Sequence, residues 1–141
     1  MSEIVVAVSG YFDPLHVGHL DYLNLAKKLG DKLVVIVNND YQCELKKGKS
    51  FMSEVDRVKI IEALTVVDEA FLSIDEDRSV CESLSIIKPN IFANGGDRSL
   101  TEIPETKVMK KYNIKMVDGL GDKIRSSSEL TGLKQGSGEH T

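Results

Sequence analysis

The sequence predicts an α/β protein, a single doubly wound domain around a five-stranded parallel sheet, on three observations. Short β-branched runs alternate along the chain with segments of helical period, and strands separated by helices run parallel because each crossover returns the chain to the same end of the sheet. Val34, Val35, Ile36 and Val37 form an unbroken apolar run, which suits a strand covered on both faces and not one with a wet side. The length of 141 residues, 41% of them hydrophobic, fits one core and therefore one site per chain.

The elements follow in order. Ile4 to Ser9 reads as the first strand and Val17 to Leu29 as an amphipathic helix, followed by a strand from Lys32 to Asn38 and a helix from Ser53 to Leu64. Val67 to Ser73 is the third strand, Ser79 to Ile87 a helix, Asn90 to Ala93 the fourth strand, Pro104 to Tyr112 a helix and Lys115 to Val117 the fifth strand. The stretch between Asn38 and Lys49 is read as a loop. Residues 1–133 are taken as the domain, and Lys134 to Thr141, rich in Gly and polar residues, as a tail with nothing to bury.

Composition narrows the function. A formal net charge of -4 gives no general attraction to nucleic acid or to an anionic membrane, so a phosphate site has to be built locally. No apolar stretch approaches the length of a bilayer span, and no basic region precedes the short apolar run at the start, so a cytoplasmic protein is expected. Cys43 and Cys81 lie far apart without metal-ligand spacing and are expected to be ordinary thiols.

In open parallel sheets, ligands bind beyond the carboxyl ends of the strands, where the strand order reverses. The strand ends here are Ser9 to His19, Asn38 to Lys49, Ser73 to Arg78, Asn94 to Leu100 and Asp118 to Ser128, and four of the five carry unusual residues. The first is Gly10-Tyr11-Phe12-Asp13-Pro14-Leu15-His16-Val17-Gly18-His19, running into a helix. Free backbone donors and the positive dipole end of that helix attract phosphate, while Gly10 and Gly18 allow a close approach. His16 and His19, three residues apart, share a helix face and can touch the same phosphoryl group. Alternatively one histidine caps and the other packs, or both bind a metal, which would ordinarily call for a further ligand nearby.

The other loops are less specific. Lys46, Lys47 and Lys49 form a basic turn ahead of Asp56 and Arg57. Gly95 and Gly96 permit a tight turn, with Asp97 able to accept from a ribose or base and Arg98 able to grip phosphate. Ser126, Ser127 and Ser128 either cap the short stretch that follows or hold phosphates with hydroxyls and amides together.

GYFDPLHVGH resembles the GxFDxxHxGH signature of the cytidylyltransferase-like nucleotidyltransferases, a specific pattern. The similarity continues through LAKKLGDKLVVIVNND, KKGKSFMSEVDR, IKPNIFANGGDR and IRSSSEL, nearly the whole chain except its tail. The family includes glycerol-3-phosphate and ethanolamine-phosphate cytidylyltransferases and an adenylyltransferase acting on heptose 1-phosphate. The resemblance implies a Rossmann-like fold and transfer of a nucleoside monophosphate from a nucleoside triphosphate to a small phosphorylated acceptor, releasing pyrophosphate.

It further implies that His16, His19 and Lys47 are catalytic. Nucleotide binding would fall to Gly10, Tyr11, Phe12, Asp13, Gly18, Gly95, Asp97, Arg98, Arg125, Ser126, Ser127 and Ser128. Lys47 and Arg57 match a KGxxxxxxxxR arrangement and would meet the substrate, although Arg57 serves equally as a structural partner of Asp56 or of the loop. Mg2+ would accompany the triphosphate, and a homodimer is implied. The chain departs from the RTxGIST run of cytidylyltransferases, carrying GDKIRSSS, while GGD resembles the adenylyltransferases, so CTP and ATP both stay open. Arg125 supplies a charge near the family arginine. A nucleotide-binding regulatory domain without turnover is the rival reading, and pyrophosphate release separates the two.

Overall fold

The structure, a computed structural model, describes residues 3–93 and 104–117. Its elements are β1 (Val5–Gly10), α1 (Val17–Lys27), β2 (Lys32–Val37), α2 (Asp40–Lys47), α3 (Glu54–Glu62), β3 (Glu69–Leu72), α4 (Cys81–Ile87), β4 (Ile91–Ala93), α5 (Glu105–Lys111) and β5 (Lys115–Val117). The five strands pair in parallel in the order β3-β2-β1-β4-β5. This is the doubly wound sheet that the alternation of short strands and helices predicts.

Two apolar layers sandwich the sheet because strand side chains alternate faces. Val6 and Val8 of β1 pack with Leu33, Val35 and Val37 of β2 against Leu23 and Ala26 of α1 and Ile61 of α3. Ala7 and Ile36 face the other way, onto Leu84 of α4 and Met109 of α5. Each residue from Leu33 to Val37 is at most 2% exposed, which explains why the run has no polar alternation.

The expected loop between Asn38 and Lys49 is instead the helix α2. Asn39 accepts the amide of Gln42 at 2.8 Å while the Gln42 side chain accepts the amide of Asn39 at 3.0 Å, a reciprocal cap that starts the helix. Gly48, with φ 95°, ends it. Lys46 and Lys47 therefore occupy a helical last turn and not a free basic turn. The same two capping residues anchor the loop after β3, since Asn39 also donates to the carbonyls of Ser73 and Asp75, and Gln42 to those of Asp77 and Ser79.

The chain leaves β1 for β2 on one side, whereas β4 lies on the other, so the strand order reverses between β1 and β4. Their carboxyl ends open the crevice where a ligand fits. Among the described residues, no helix is long and apolar enough to cross a membrane. Cys43 and Cys81 are free.

Candidate functional site

The loop after β1 is shaped by its own side chains. Phe12 is 2% exposed and takes φ 51°, a left-handed conformation unfavourable for a bulky residue. Its ring lies beneath Gly10, where a Cβ would come within 2.7 Å of Phe12 Cζ. A Cβ on Gly18 would stand 3.0 Å from His16 Cε1. The two glycines expected to open the backbone to a ligand thus make room for Phe12 and His16.

His16 is the N-cap of α1 and forms a capping box with His19. The amide of Gly18 donates to His16 Nδ1 at 3.1 Å, and the amide of His16 donates to His19 Nδ1 at 3.2 Å. An Nδ1 that accepts a hydrogen bond carries no proton, so each neutral ring bears its proton on Nε2. The rings stack at 3.8 Å between centroids. Phe12 meets His19 edge-on at 5.0 Å. Burial first, then the charges of His16 and Lys46, push the His19 pKa down to about 4, so this imidazole is neutral near pH 7. The fold thereby holds two Nε2–H donors at a helix N-terminus without two like charges in contact.

Asp13 clamps this loop to the segment between α2 and α3. Its carboxylate accepts from the amides of Phe51 at 2.7 Å and Met52 at 2.6 Å and lies 2.9 Å from Lys47 Nζ. Burial would raise its pKa, but the hydrogen bonds from Lys47, Phe51 and Met52 outweigh burial and lower it. Lys47 also donates to the Asp13 carbonyl at 2.9 Å and stays 38% exposed, which leaves its ammonium within reach of the crevice.

Arg57 has the second of its two expected environments, with Asp40 as its partner in place of Asp56. Its side chain is fully buried, donating from Nε to the carbonyl of Met52 at 2.9 Å and from Nη1 to those of Tyr11 at 2.9 Å and Asn38 at 2.5 Å. Nη2 meets Asp40 Oδ1 at 2.7 Å. The guanidinium ties together the ends of β1 and β2 and the start of α3, a positioning role, and presents no face to the crevice.

Tyr11 lies against the last turn of α2. Lys46 Nζ lies 4.3 Å from its ring centroid, and its phenol is hydrogen-bonded to Arg78. Burial raises the phenol pKa while the Arg78 bond opposes that rise. Sequence reading passed over Arg78 because its strand end, Ser73 to Arg78, carries no glycine or histidine signal. The tether from Asn39 and Gln42 is what fixes that loop beside the first. Tyr22 of α1 donates to the carbonyl of Ala93 at 3.0 Å, joining α1 to the end of β4 across the switch point. Gly95, Asp97, Arg98, Arg125, Ser126, Ser127 and Ser128, with the tail 134–141, lie outside the described residues.

Residues 7–129 match the cytidylyltransferase-like family. The chain belongs to this family of nucleotidyltransferases. Within it, the chain is 38% identical over 116 residues to an FAD synthase of Thermococcus sibiricus, covering 79% of this chain and 76% of that protein. It is also 38% identical over 110 residues to the bifunctional protein HldE of Streptomyces coelicolor, covering 77% of this chain but only 23% of that longer protein. Among solved structures, the lipopolysaccharide core biosynthesis protein of Thermoplasma volcanium aligns with TM-score 0.70 and 33% identity over 83% of this chain and 96% of that one. In this nucleotidyltransferase the GxFDxxHxGH segment is therefore the loop that carries both imidazoles and the Asp13 clamp.

Proposed function

We propose that the chain transfers an adenylyl group from ATP to a small phosphorylated acceptor and releases pyrophosphate. The observation that carries this reading is the histidine pair, whose two Nδ1 atoms accept backbone amides and leave Nε2 of each ring as the donor, with the His19 ring kept neutral by its burial. A phosphate monoester has a second pKa of about 6, so the acceptor oxygen is ionised near neutral pH and no general base is needed. That oxygen attacks the α-phosphorus, a new P–O bond forms, and the bond from the α-phosphorus to the bridging oxygen breaks as pyrophosphate departs in line. His16 and His19 donate to the α-phosphoryl oxygens as charge gathers there, and Lys47 meets the phosphates beside them. Gly95, Asp97, Arg98, Arg125 and Ser126 to Ser128 are assigned to the nucleotide on the family resemblance.

Adenine is favoured over cytosine because the relatives include an FAD synthase and because this chain departs from RTxGIST. An FAD synthase uses FMN as acceptor, so FMN joins the sugar, polyol and amino-alcohol phosphates as a candidate. Among the described residues no group of three His, Cys, Asp or Glu side chains is placed to hold a metal. Mg2+ commonly keeps its waters and binds through substrate phosphates, so its part here is to enter with the triphosphate and offset its charge. The reading extends to a homodimer in the cytoplasm, supported by resemblance and checked by light scattering of the full chain.

The test is pyrophosphate release with Mg2+, using ATP and CTP separately against heptose 1-phosphate, glycerol 3-phosphate, FMN, phosphoethanolamine and phosphocholine. ATP with one acceptor is the expected active pair. His16→Ala and His19→Ala should each lower kcat by about 100- to 1,000-fold, as expected for removal of a fixed donor to a developing oxyanion, with much smaller changes in ATP affinity. Near-normal kcat in both variants refutes the mechanism, and release with CTP alone refutes the choice of base.

A further inference from the structure

A lone exposed apolar side chain is ordinary on a protein surface and needs no partner. Phe51 differs in how it is held. Its ring is 76% exposed, the most open of the large hydrophobic side chains among the described residues, in the short segment between α2 and α3. The backbone beneath it is fixed from two sides. The amides of Phe51 and Met52 donate to the Asp13 carboxylate at 2.7 and 2.6 Å, and the Met52 carbonyl accepts from Arg57 Nε at 2.9 Å. A ring displayed from a pinned backbone gives up little freedom when a ligand packs on it.

The same carboxylate fixes what stands beside the ring. Asp13 Oδ2, which takes the Phe51 amide, also lies 2.9 Å from Lys47 Nζ, so the ammonium and the Phe51 backbone meet at one oxygen. Asp13 belongs to the loop that carries His16 and His19, and Val17, next in the chain after His16, is itself 70% exposed. Gly48, directly after Lys47, faces open space, since a Cβ there would meet no atom within 4 Å. A cation, an exposed aromatic ring and an opening are therefore gathered on one segment that is bonded to the histidine loop. The transfer chemistry has no use for the ring.

We infer that Phe51 is a specificity-determining residue of the acceptor subsite, where its ring packs against a flat aromatic ring system that the acceptor phosphate carries. This rests on the nucleotidyltransferase reading of the histidine pair. The acceptor's phosphate lies towards Lys47 and the imidazoles, and the rest of the molecule runs out along the segment between α2 and α3. Two flat ring systems stack in an offset arrangement that joins apolar burial to the attraction of ring edge and face. Among the candidate acceptors FMN alone ends in such a system. Glycerol 3-phosphate, phosphoethanolamine and phosphocholine offer no flat face, and heptose 1-phosphate offers only the C–H bonds of a saturated ring. The adenine of ATP is flat as well, but the loops assigned to it follow β4 and β5, which lie on the other side of β1 from β2.

The experiment titrates the full-length protein, Phe51→Ala and Phe51→Trp with FMN, heptose 1-phosphate, glycerol 3-phosphate and ATP by ligand-observed NMR. The wild type is expected to bind FMN more tightly than glycerol 3-phosphate by about tenfold or more, the scale of a ring stacked on an aromatic side chain. Phe51→Ala should erase that margin and leave the Kd for glycerol 3-phosphate and for ATP within about twofold of wild type. Phe51→Trp, which keeps an aromatic face, should retain it. The position is exposed, so both variants fold with Tm within about 3 °C of wild type. Several outcomes overturn the inference: no FMN margin in the wild type, a margin that survives in Phe51→Ala or is lost in Phe51→Trp, or heptose 1-phosphate as the tightest acceptor and the one that Phe51→Ala weakens. ATP weakened as much as FMN would overturn it by giving the ring to adenine. A smaller mass of Phe51→Ala in light scattering, with FMN affinity unchanged, would overturn it by giving the ring to a second copy of the chain. Pyrophosphate release is read separately. FMN held through Phe51 without release from ATP and Mg2+ would refute the reaction and leave the aromatic subsite standing, whereas release with another acceptor while FMN fails to bind would sink the subsite and leave the reaction.

Discussion

Replacing Arg57 with Met keeps an unbranched apolar stem of helical preference and deletes only the guanidinium. Four hydrogen bonds disappear, to the carbonyls of Met52, Tyr11 and Asn38 and to the Asp40 carboxylate. Each buried acceptor left without a donor costs about 1–3 kcal/mol. The Asp40 side chain is 36% exposed and can turn to water, so the ion pair adds little beyond that. Three stranded carbonyls then cost about 3–9 kcal/mol in total, a large part of the roughly 5–15 kcal/mol that holds a domain together. At about 3 °C per kcal/mol for a chain of this size, Tm falls by about 9–27 °C. Thermal unfolding followed by circular dichroism, with and without saturating ATP, reads it directly. A Tm within about 3 °C of wild type together with a large loss of acceptor or nucleotide affinity would refute the positioning role and return Arg57 to the ligand.

Three other perturbations probe the same loop. Gly10→Ala places a Cβ 2.7 Å from Phe12 Cζ, so the buried ring must move away from beneath the loop. Overpacking of this kind costs about 1–3 kcal/mol, and because Phe12 meets His19, kcat should fall more than the affinity for ATP; unchanged kcat would show that the ring does not position the imidazole. Asp13→Asn loses the ion pair to Lys47 and one of the two anionic acceptors for the amides of Phe51 and Met52, so KM for ATP should rise and Tm fall, both read against the wild type. An ATP KM equal to wild type would dissociate the clamp from the site. In the pH profile, the folded pKa of His19 lies near 4 against a usual 6.5, so the unfolded chain takes up its proton first as pH falls. The stability contributed by neutral His19 is complete above about pH 6.5 and is lost as pH drops towards 4. Activity should accordingly show no acid limb from His19 above that window; the limb should follow the acceptor phosphate near pH 6 and move when an acceptor phosphonate of different pKa is used. A limb indifferent to the acceptor would assign it to the protein.

The fold was legible because periodicity is a local property. Val34 to Val37 declared a strand covered on both faces, and the alternation of short strands with helices left the parallel doubly wound sheet as the consistent arrangement. The histidine pair was legible too, since a spacing of three at a strand-to-helix junction is enough to bring two rings onto one face. Helix α2 was missed although its signal is present in Asn39 and Gln42, the two ends of a capping box, because the lysines beside it read as a turn.

What the sequence alone determined about this protein is therefore its layer architecture, its family signature and the loop that carries the imidazoles. Only the tertiary structure decided the partners. Arg57 is committed to Asp40 and three carbonyls, the glycines of the first loop accommodate its own side chains, and the loop after β3 is tied down by Asn39 and Gln42 from a distant part of the chain. The physical reason is that pattern and spacing report on neighbours within one helix or strand, whereas hydrogen-bond satisfaction of a buried group is settled by whatever other elements the packed sheet brings against it.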